Sequence, residues 1–516
     1  MSATTANDGR SGATRAYLAM DLGTSAIKIG LFDTRGRCVV SSTTEYSLVT
    51  TSPLWVECEL ETYWRAVVSG MQAIVHGLVG RELPEIAGLA VSCQGETLVA
   101  LDASGAPIRP AIVWLDNRAS AEAAALEARF GLEEIYRRTG QLESLPTWTA
   151  SKILWLRTHE AGGYERTATF LLLEDWLIYR MCGALVGERS LYVTSLLLDW
   201  PHGGWWEPML AEVGLDRSRL VTLVDPGSIV GRLALSPAAE LGLPAGIPIV
   251  AGGLDQVLAA TGAGNIAPGL LTENTGTVLG LAACLAEMPQ DRSLGLPMFL
   301  HVIPGLYCAQ PCGQTAGLVL RWLRDNFFGD VHATDQSTPS YESVIAEAAD
   351  IAPGANGVTV IPHLAGAQYP EYNTTATCAV IGLSLSEGRG HVTRAVLEAV
   401  AFMLRKAVEA MRAAGLEFGE IASLGNSASS DVWTHIKADV CQLPIRRFEC
   451  REPSLLGAAM LVAQAVGDFS SLSEACSVMV RSVDVTEPDP VKSQIYEQAF
   501  SGYNRVYELL YPEAAN

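Results

Sequence analysis

The stretch Asp21-Leu22-Gly23-Thr24-Ser25-Ala26-Ile27-Lys28 sets a carboxylate, a glycine, two hydroxyls and a cation between two short apolar runs, Tyr17 to Met20 and Ile27 to Phe32. The pattern predicts a strand, a tight turn and a second strand. The glycine lets backbone approach a ligand closely, and hydroxyls, amides and a carboxylate are what a phosphate and its magnesium ion require. An ordinary polar hairpin carries the same residue types, so the remainder of the chain decides between the two. Lys28 falls inside the second strand and is given no part.

Two polar clusters follow at predicted strand ends. Strand Ile86 to Ser92 runs into Cys93-Gln94-Gly95-Glu96-Thr97, and Ala111 to Trp114 runs into Leu115-Asp116-Asn117-Arg118. In open α/β sheets the carboxyl ends of strands receive ligands, which makes Gln94, Glu96, Trp114, Asp116 and Arg118 candidates for holding a polar small molecule. Trp114 could stack on a sugar while the amide and carboxylates bond its hydroxyls. A surface turn beside one core tryptophan is the alternative. Next, Ile247 to Ala251 delivers Gly252-Gly253-Leu254-Asp255-Gln256, where Asp255 is either a helix N-cap or a carboxylate aimed at a ligand. Then Leu270 to Thr272, Glu273-Asn274-Thr275-Gly276-Thr277 and Val278 to Ala282 repeat strand, Gly-Thr turn and strand. This echo of the opening hairpin predicts two lobes, each with a phosphate-binding hairpin, that grip a nucleoside triphosphate between them. Further on, Gln314 lies in Cys312-Gly313-Gln314-Thr315-Ala316-Gly317 ahead of a helix from Leu318 to Phe327. Gly425-Asn426-Ser427-Ala428-Ser429 offers small residues at a helix N-terminus, where backbone amides could meet a phosphate or an adenine ring, or where a flexible loop could simply pass.

The elements that must position these residues are legible as alternating patterns. Cys38 to Thr43 adds a third strand to the opening hairpin, and Trp64, Val67, Val68, Met71, Ile74 and Val75 mark a helix after it. A meander of this kind excludes a dinucleotide-fold opening, and neither Gly-x-Gly-x-x-Gly nor a Gly-x-x-x-x-Gly-Lys-Ser/Thr loop stands where it should. His391 to Ala414 has the apolar spacing of a long helix, and strands Ile421 to Leu424 and Ile445 to Phe448 flank a helix from Ser430 to Val440. A chain of 516 residues exceeds the size at which one core keeps growing, so two domains with a cleft are expected.

Composition bounds the partners. Hydrophobic residues at 49% and charged residues at 18% indicate a soluble globular protein, since charges, glycines or prolines interrupt every apolar run. Residues 1–14 are polar and small, and read as a disordered lead without an export signal. A net charge of −21 argues against nucleic acid and anionic membrane. The 11 cysteines lack Cys-x-x-Cys pairs and are expected to be reduced thiols in the cytoplasm, and the eight histidines show no zinc-ligand spacing.

Taken together these motifs resemble the FGGY carbohydrate kinases, a branch of the actin, hexokinase and heat-shock ATPase superfamily. Asp21-Leu22-Gly23-Thr24-Ser25 is similar to the family's first phosphate motif, Gly252-Gly253-Leu254-Asp255 to the loop that presents its catalytic base, and Thr275-Gly276-Thr277 to its second phosphate motif. Lys152-Ile153-Leu154-Trp155-Leu156 resembles the first family signature. Gly382-Leu383, His391-Val392 and Ala395-Val396-Leu397-Glu398 resemble the second. Gly425 onward, with Trp433, Ala438-Asp439 and Pro444, resembles the adenosine segment. Departures are Gly425-Asn426-Ser427 in place of a glycine-rich run, Glu273-Asn274 before the second phosphate motif, and Cys378 in the second signature. The substrate turn, Cys93-Gln94-Gly95-Glu96-Thr97, is like that of glycerol kinases in Gln94, Glu96 and Thr97 but lacks their arginine. The region from Trp114 to Gly140 loosely resembles kinases of a furanone quorum signal.

The resemblance implies an α/β, two-lobed actin-like ATPase fold, ribonuclease H-like, of duplicated mixed β-sheet domains with an interdomain cleft. It implies an N-terminal sugar- and phosphate-binding domain over 15–251 and a C-terminal catalytic and nucleotide-binding domain over 252–516. The implied activity is ATP- and Mg2+-dependent phosphorylation of a sugar or polyol, a ketopentose such as xylulose first, with glycerol, another polyol, gluconate or a quorum signal as alternatives. An actin-like ATPase or a non-catalytic sugar sensor stands as the reading of another class. Asp255 would be the base and, with Asp21, a metal ligand. Gly23, Thr24, Ser25, Thr275, Gly276, Thr277, Gln314, Gly425 and Asn426 would hold ATP, and Gln94, Glu96, Trp114, Asp116 and Asp255 the acceptor. The family also makes a homodimer an expectation.

Overall fold

In a computed structural model, residues 15–78, 84–328 and 339–512 are described; the N-terminal lead expected over 1–14 lies outside them. The chain forms two compact units. The first comprises residues 1–126, 145–258 and 454–479, and the second comprises 127–144, 259–453 and 480–516. Gly252 to Leu258, Asp255 included, therefore belong to the first unit.

The first unit is built on a six-stranded mixed sheet. In spatial order its strands are Ile229–Arg232, Pro248–Leu254, Glu85–Cys93, Arg15–Leu22, Ala26–Asp33 and Cys38–Glu45. Pro248–Leu254, Glu85–Cys93 and Arg15–Leu22 run parallel, and antiparallel strands close both sides. The parallel strands are covered on both faces, which is why they read as unbroken apolar runs: Leu18, Met20, Leu89, Val91 and Ile249 are fully buried. Helix Leu60–Gly77 packs on the meander through Tyr63, Trp64, Val67 and Met71. A smaller antiparallel sheet, absent from the sequence reading, joins Val49–Ser52, Trp55–Cys58, Ala111–Ile112, Leu98–Leu101 and Thr169–Leu172.

In the second unit the sheet runs Met298–Leu300, Tyr307–Ala309, Leu279–Leu285, Gly269–Thr275, Phe418–Leu424, Ile445–Phe448 and Ser482–Thr486. From Tyr307–Ala309 onward the pairings are antiparallel, antiparallel, parallel, parallel, antiparallel. The first sheet, taken from Cys38–Glu45, shows the same succession. The duplication sensed in the two Gly-Thr turns thus extends to whole sheets, with Asp21–Ile27 and Thr275–Leu279 at equivalent hairpins. Helix Arg389–Ala413 is the central helix of this unit, burying Leu397, Val400 and Leu404 and packing against helices Tyr341–Ala349 and Asp431–Cys441. All 11 cysteines are free. Among the described residues no helix is long and apolar enough to cross a membrane.

Candidate active site

Strand register gathers the first cluster. Asp21 is paired across the sheet with Ser92, and Ser92 with Gly253, so the carboxyl ends of three parallel strands coincide. That edge is where an open α/β sheet receives ligands. Gly252 permits the close approach of the third strand: a Cβ there would lie 1.7 Å from the Val91 carbonyl oxygen, and its amide donates to Glu174 Oε1 at 2.9 Å. Asp21 is held from two sides, with Ser92 Oγ donating to Oδ1 at 2.7 Å and Ser454 Oγ to Oδ2 at 2.9 Å. Ser454 comes from helix Pro453–Ala465, and nothing local in the sequence tied it to Asp21.

Asp255 begins the helix that follows strand Pro248–Leu254 and accepts from the Gln256 amide at 2.7 Å. Desolvation, then the charge of Asp21, push its carboxyl up to about 8; the Gln256 amide works against the shift and the charge of Glu96 adds to it. A raised carboxyl beside a second carboxylate can take up a proton or share a cation with its neighbour.

Gln94, Gly95, Glu96 and Thr97 form the crossing from the main sheet into the smaller one. Both polar atoms of the Gln94 side chain are buried without a protein partner, which in a native site points to a bound molecule or water. Glu96 takes φ 56°, in the left-handed region that non-glycine residues enter at about 1 kcal/mol or more. Its backbone is fixed there by the buried Lys152, whose Nζ donates to the carbonyls of Glu96 and Val113 at 3.0 Å each. Burial raises the Glu96 carboxyl and lowers the Lys152 ammonium, each partly offset by the other's charge. Trp114 is half-buried, and its indole donates to Thr24 Oγ1 at 2.9 Å, linking the stretch after strand Ala111–Ile112 to the Gly23–Ser25 turn.

Asp116 has a different task from the one its position in sequence suggests. Oδ1 accepts from the amide and Nε of Arg118 at 3.0 and 2.8 Å, and Oδ2 accepts from the Val56 amide at 2.6 Å and an Arg118 guanidinium nitrogen at 2.7 Å. A carboxylate has about four acceptor positions, and all are filled. Arg118 in turn lies over Trp55 and Trp155 and pairs with Glu57. Asp116 and Arg118 therefore brace the wall that carries Trp114, and Asp116 has no acceptor position left for a sugar hydroxyl.

In the second unit, a cavity of about 520 Å³ opens beside the second hairpin, with Thr275, Gly276, Thr277 and Asn426 in its lining. Gln314 and Gly425 lie outside that lining. Gly425 instead sets the turn: it has φ +73°, and a Cβ there would meet Asn274 Oδ1 at 2.5 Å. Helix Gly317–Phe327 begins against the hairpin, its Gly317 amide donating to the Gly276 carbonyl at 2.8 Å and Leu318 to Thr277 at 3.2 Å. Helix Tyr341–Ala349, missed in sequence, supplies an apolar wall through Ile345, Ala346 and Ala349, opposite Val432. The lining combines polar groups (Thr275, Thr277, Asn426, Ser429) with aliphatic ones, the mixture a small polar ligand with an apolar part would meet. The hydroxyl of Thr275 is turned inward, donating to Glu273 Oε2 at 2.6 Å and accepting from Lys437 at 3.0 Å, which leaves backbone and Thr277 to face the cavity.

Two units built on one mixed-sheet plan, one with paired carboxylates at its strand ends and one with a nucleotide-sized cavity at the matching hairpin, define the actin-like ATPase fold. Within that class the chain belongs to the FGGY family of carbohydrate kinases: its N-terminal domain matches residues 16–262 and its C-terminal domain residues 263–466. A xylulose kinase of Staphylococcus epidermidis is 29% identical over 493 residues, covering 95% of this chain and 96% of that protein. An autoinducer-2 kinase of Escherichia coli is 28% identical over 503 residues, covering 95% and 94%. The fold matches the ligand-bound xylulose kinase of Lactobacillus acidophilus with a TM-score of 0.87 at 21% identity, over 97% of this chain and 99% of that one. The chain is an ATP-dependent sugar kinase.

Proposed function

We propose that the protein transfers the γ-phosphate of ATP to a hydroxyl of a ketopentose such as xylulose, with Asp255 as general base. The observation that carries this reading is the pair Asp255 and Asp21 at one sheet edge, with the Asp255 carboxyl raised to about 8. Two oxygen-donor carboxylates, one braced by two serine hydroxyls and the other destabilised as an anion by its neighbour, fit a hard divalent cation. Mg2+ takes one or two carboxylates and completes its shell with water and phosphate. Bound there by Asp21 and Asp255, Mg2+ would neutralise charge on the transferring phosphate.

Asp255 accepts the proton of the attacking hydroxyl. Gln94 and Glu96 bond the acceptor's hydroxyls, and Trp114 offers it an apolar face. Gly23 to Ser25 on one hairpin, and Thr275 to Thr277 through backbone and the Thr277 hydroxyl on the other, hold phosphate oxygens, while Asn426 and the aliphatic walls receive adenosine. Because phosphoryl transfer needs positioning and charge compensation more than covalent help, these residues suffice for it. The xylulose kinase relatives support a ketopentose first. The autoinducer-2 kinase relative keeps that furanone-derived signal among the acceptors to try. A cytoplasmic location, where ATP is made and the free thiols stay reduced, belongs to the proposal.

Asp255→Asn should lower kcat by about a hundredfold to ten-thousandfold while ATP affinity, measured by calorimetry, stays within a factor of about three. In the metal-free wild type the Asp255 carboxyl should hold its proton below about pH 8, and Mg2+ binding should release it, as proton release on metal titration at several pH values will read. Near wild-type kcat in Asp255→Asn would remove the base from this account.

A further inference from the structure

A buried ion pair sits behind the nucleotide cavity, and the transfer scheme has no use for its charges. Lys437 on helix Asp431–Cys441 and Glu273 on strand Gly269–Thr275 meet at 2.7 Å, with side chains 1% and 0% exposed. The remaining donors of the ammonium reach Thr275 Oγ1 at 3.0 Å and Ser427 Oγ at 3.3 Å, and it lies 5.0 Å from the ring centre of Trp433. Three donors thus meet three acceptors, which is all an ammonium can do. Glu273 is equally committed, its Oε1 accepting also from Ser423 and its Oε2 from Thr275.

The partners of this one nitrogen belong to three walls of the cavity. Thr275 ends the strand that enters the phosphate hairpin, Ser427 lies in the turn Asn426–Ser429, and Trp433 lies on the helix after it; all three line the cavity. Stability is a poor reason for such a pair. Removing two charges from water costs about as much as their attraction returns, and apolar residues of similar volume commonly do as well or better. What an apolar pair cannot supply is a set of directional bonds that fixes the hairpin, the turn and the helix at one spacing.

We infer that Lys437, locked by Glu273, is a positioning residue for the nucleotide: it holds the phosphate hairpin and the adenosine turn at the separation that ATP requires. The inference rests on the proposed use of this cavity by ATP. The bonds of Lys437 and Glu273 given above all stay within the second unit, so the expected signature is selective for the nucleotide.

The test compares the wild type, Lys437→Met and the double variant Lys437→Met/Glu273→Met by calorimetric titration with ATP, thermal melting and steady-state kinetics. Lys437→Met leaves a buried carboxylate unpaired and should lower Tm as well as ATP affinity. The double variant removes both charges and should recover most of the Tm while ATP affinity stays down by about tenfold and the KM for sugar moves less than about twofold. If Lys437→Met does not fold, the double variant carries the test by itself. A double variant that melts like the wild type and binds ATP equally tightly would overturn the inference while leaving the cavity's assignment intact. A wild type that binds no ATP would overturn the assignment first, and the inference with it.

Discussion

Gln94 shows most plainly how a residue proposed for the site differs from a structural one. Its amide is buried with neither polar atom bonded within the protein, so folding gains little from its polarity and loses its hydration. Gln94→Met should therefore keep or raise Tm while lowering kcat/KM for the acceptor by about tenfold or more, as melting and kinetics on the same preparation will read. A variant that lost stability along with activity would mean that Gln94 supports the fold. The contrast with Asp116 explains what the sequence could and could not convey. Both residues follow buried strands in polar clusters, and residue type and spacing make them equal candidates. Only the contacts made in the fold, with the Val56 amide 60 positions away and with the neighbouring Arg118 guanidinium, reveal that one is spent and the other is not. Ser454, 433 positions from Asp21, was out of reach for the same reason.

Elements were easier to read where local pattern sets them. Helix Arg389–Ala413 and strands Arg15–Leu22 and Ile445–Phe448 emerged within a few residues of their expected ends, because periodicity and burial agree along their length. The short strands of the second sheet in the first unit carry too few residues for any period, and their pairing is set by contact across the chain. One element also brings a pH dependence. Glu174, Asp175 and Glu188, on and beside helix Leu173–Cys182, are all buried; burial raises Asp175 to about 7, and burial with neighbouring carboxylates raises Glu174 and Glu188. Their native carboxyls hold protons that the unfolded chain has already released above about pH 4, so stability declines as pH rises from about 5 to about 8. Glu174→Gln keeps an oxygen for the Gly252 amide and removes one titrating group. Melting midpoints across that range should fall less steeply in the variant than in the wild type; equal slopes would show that Glu174 does not contribute.

At the level of the whole molecule, the recurrence of one strand succession in both units gives the echo between Asp21–Lys28 and Thr275–Thr277 its meaning. The hairpins are equivalent corners of duplicated sheets, and their surroundings differ: a paired carboxylate lies at the first and a cavity of about 520 Å³ at the second. The family was legible because its motifs recur in order over nearly the full chain and each is local. The acceptor was not, because in the proposed scheme its selection rests on the shape around Gln94, Glu96 and Trp114, which no short motif encodes. The most direct measurement is ADP release by the purified protein with ATP and Mg2+, against a panel of ketopentoses, glycerol and other polyols, aldonates and autoinducer-2, with a control lacking acceptor. The account predicts release that depends on acceptor, is fastest with a ketopentose and collapses in Asp255→Asn. ADP release at the same rate without acceptor, or none with any of them, would contradict it.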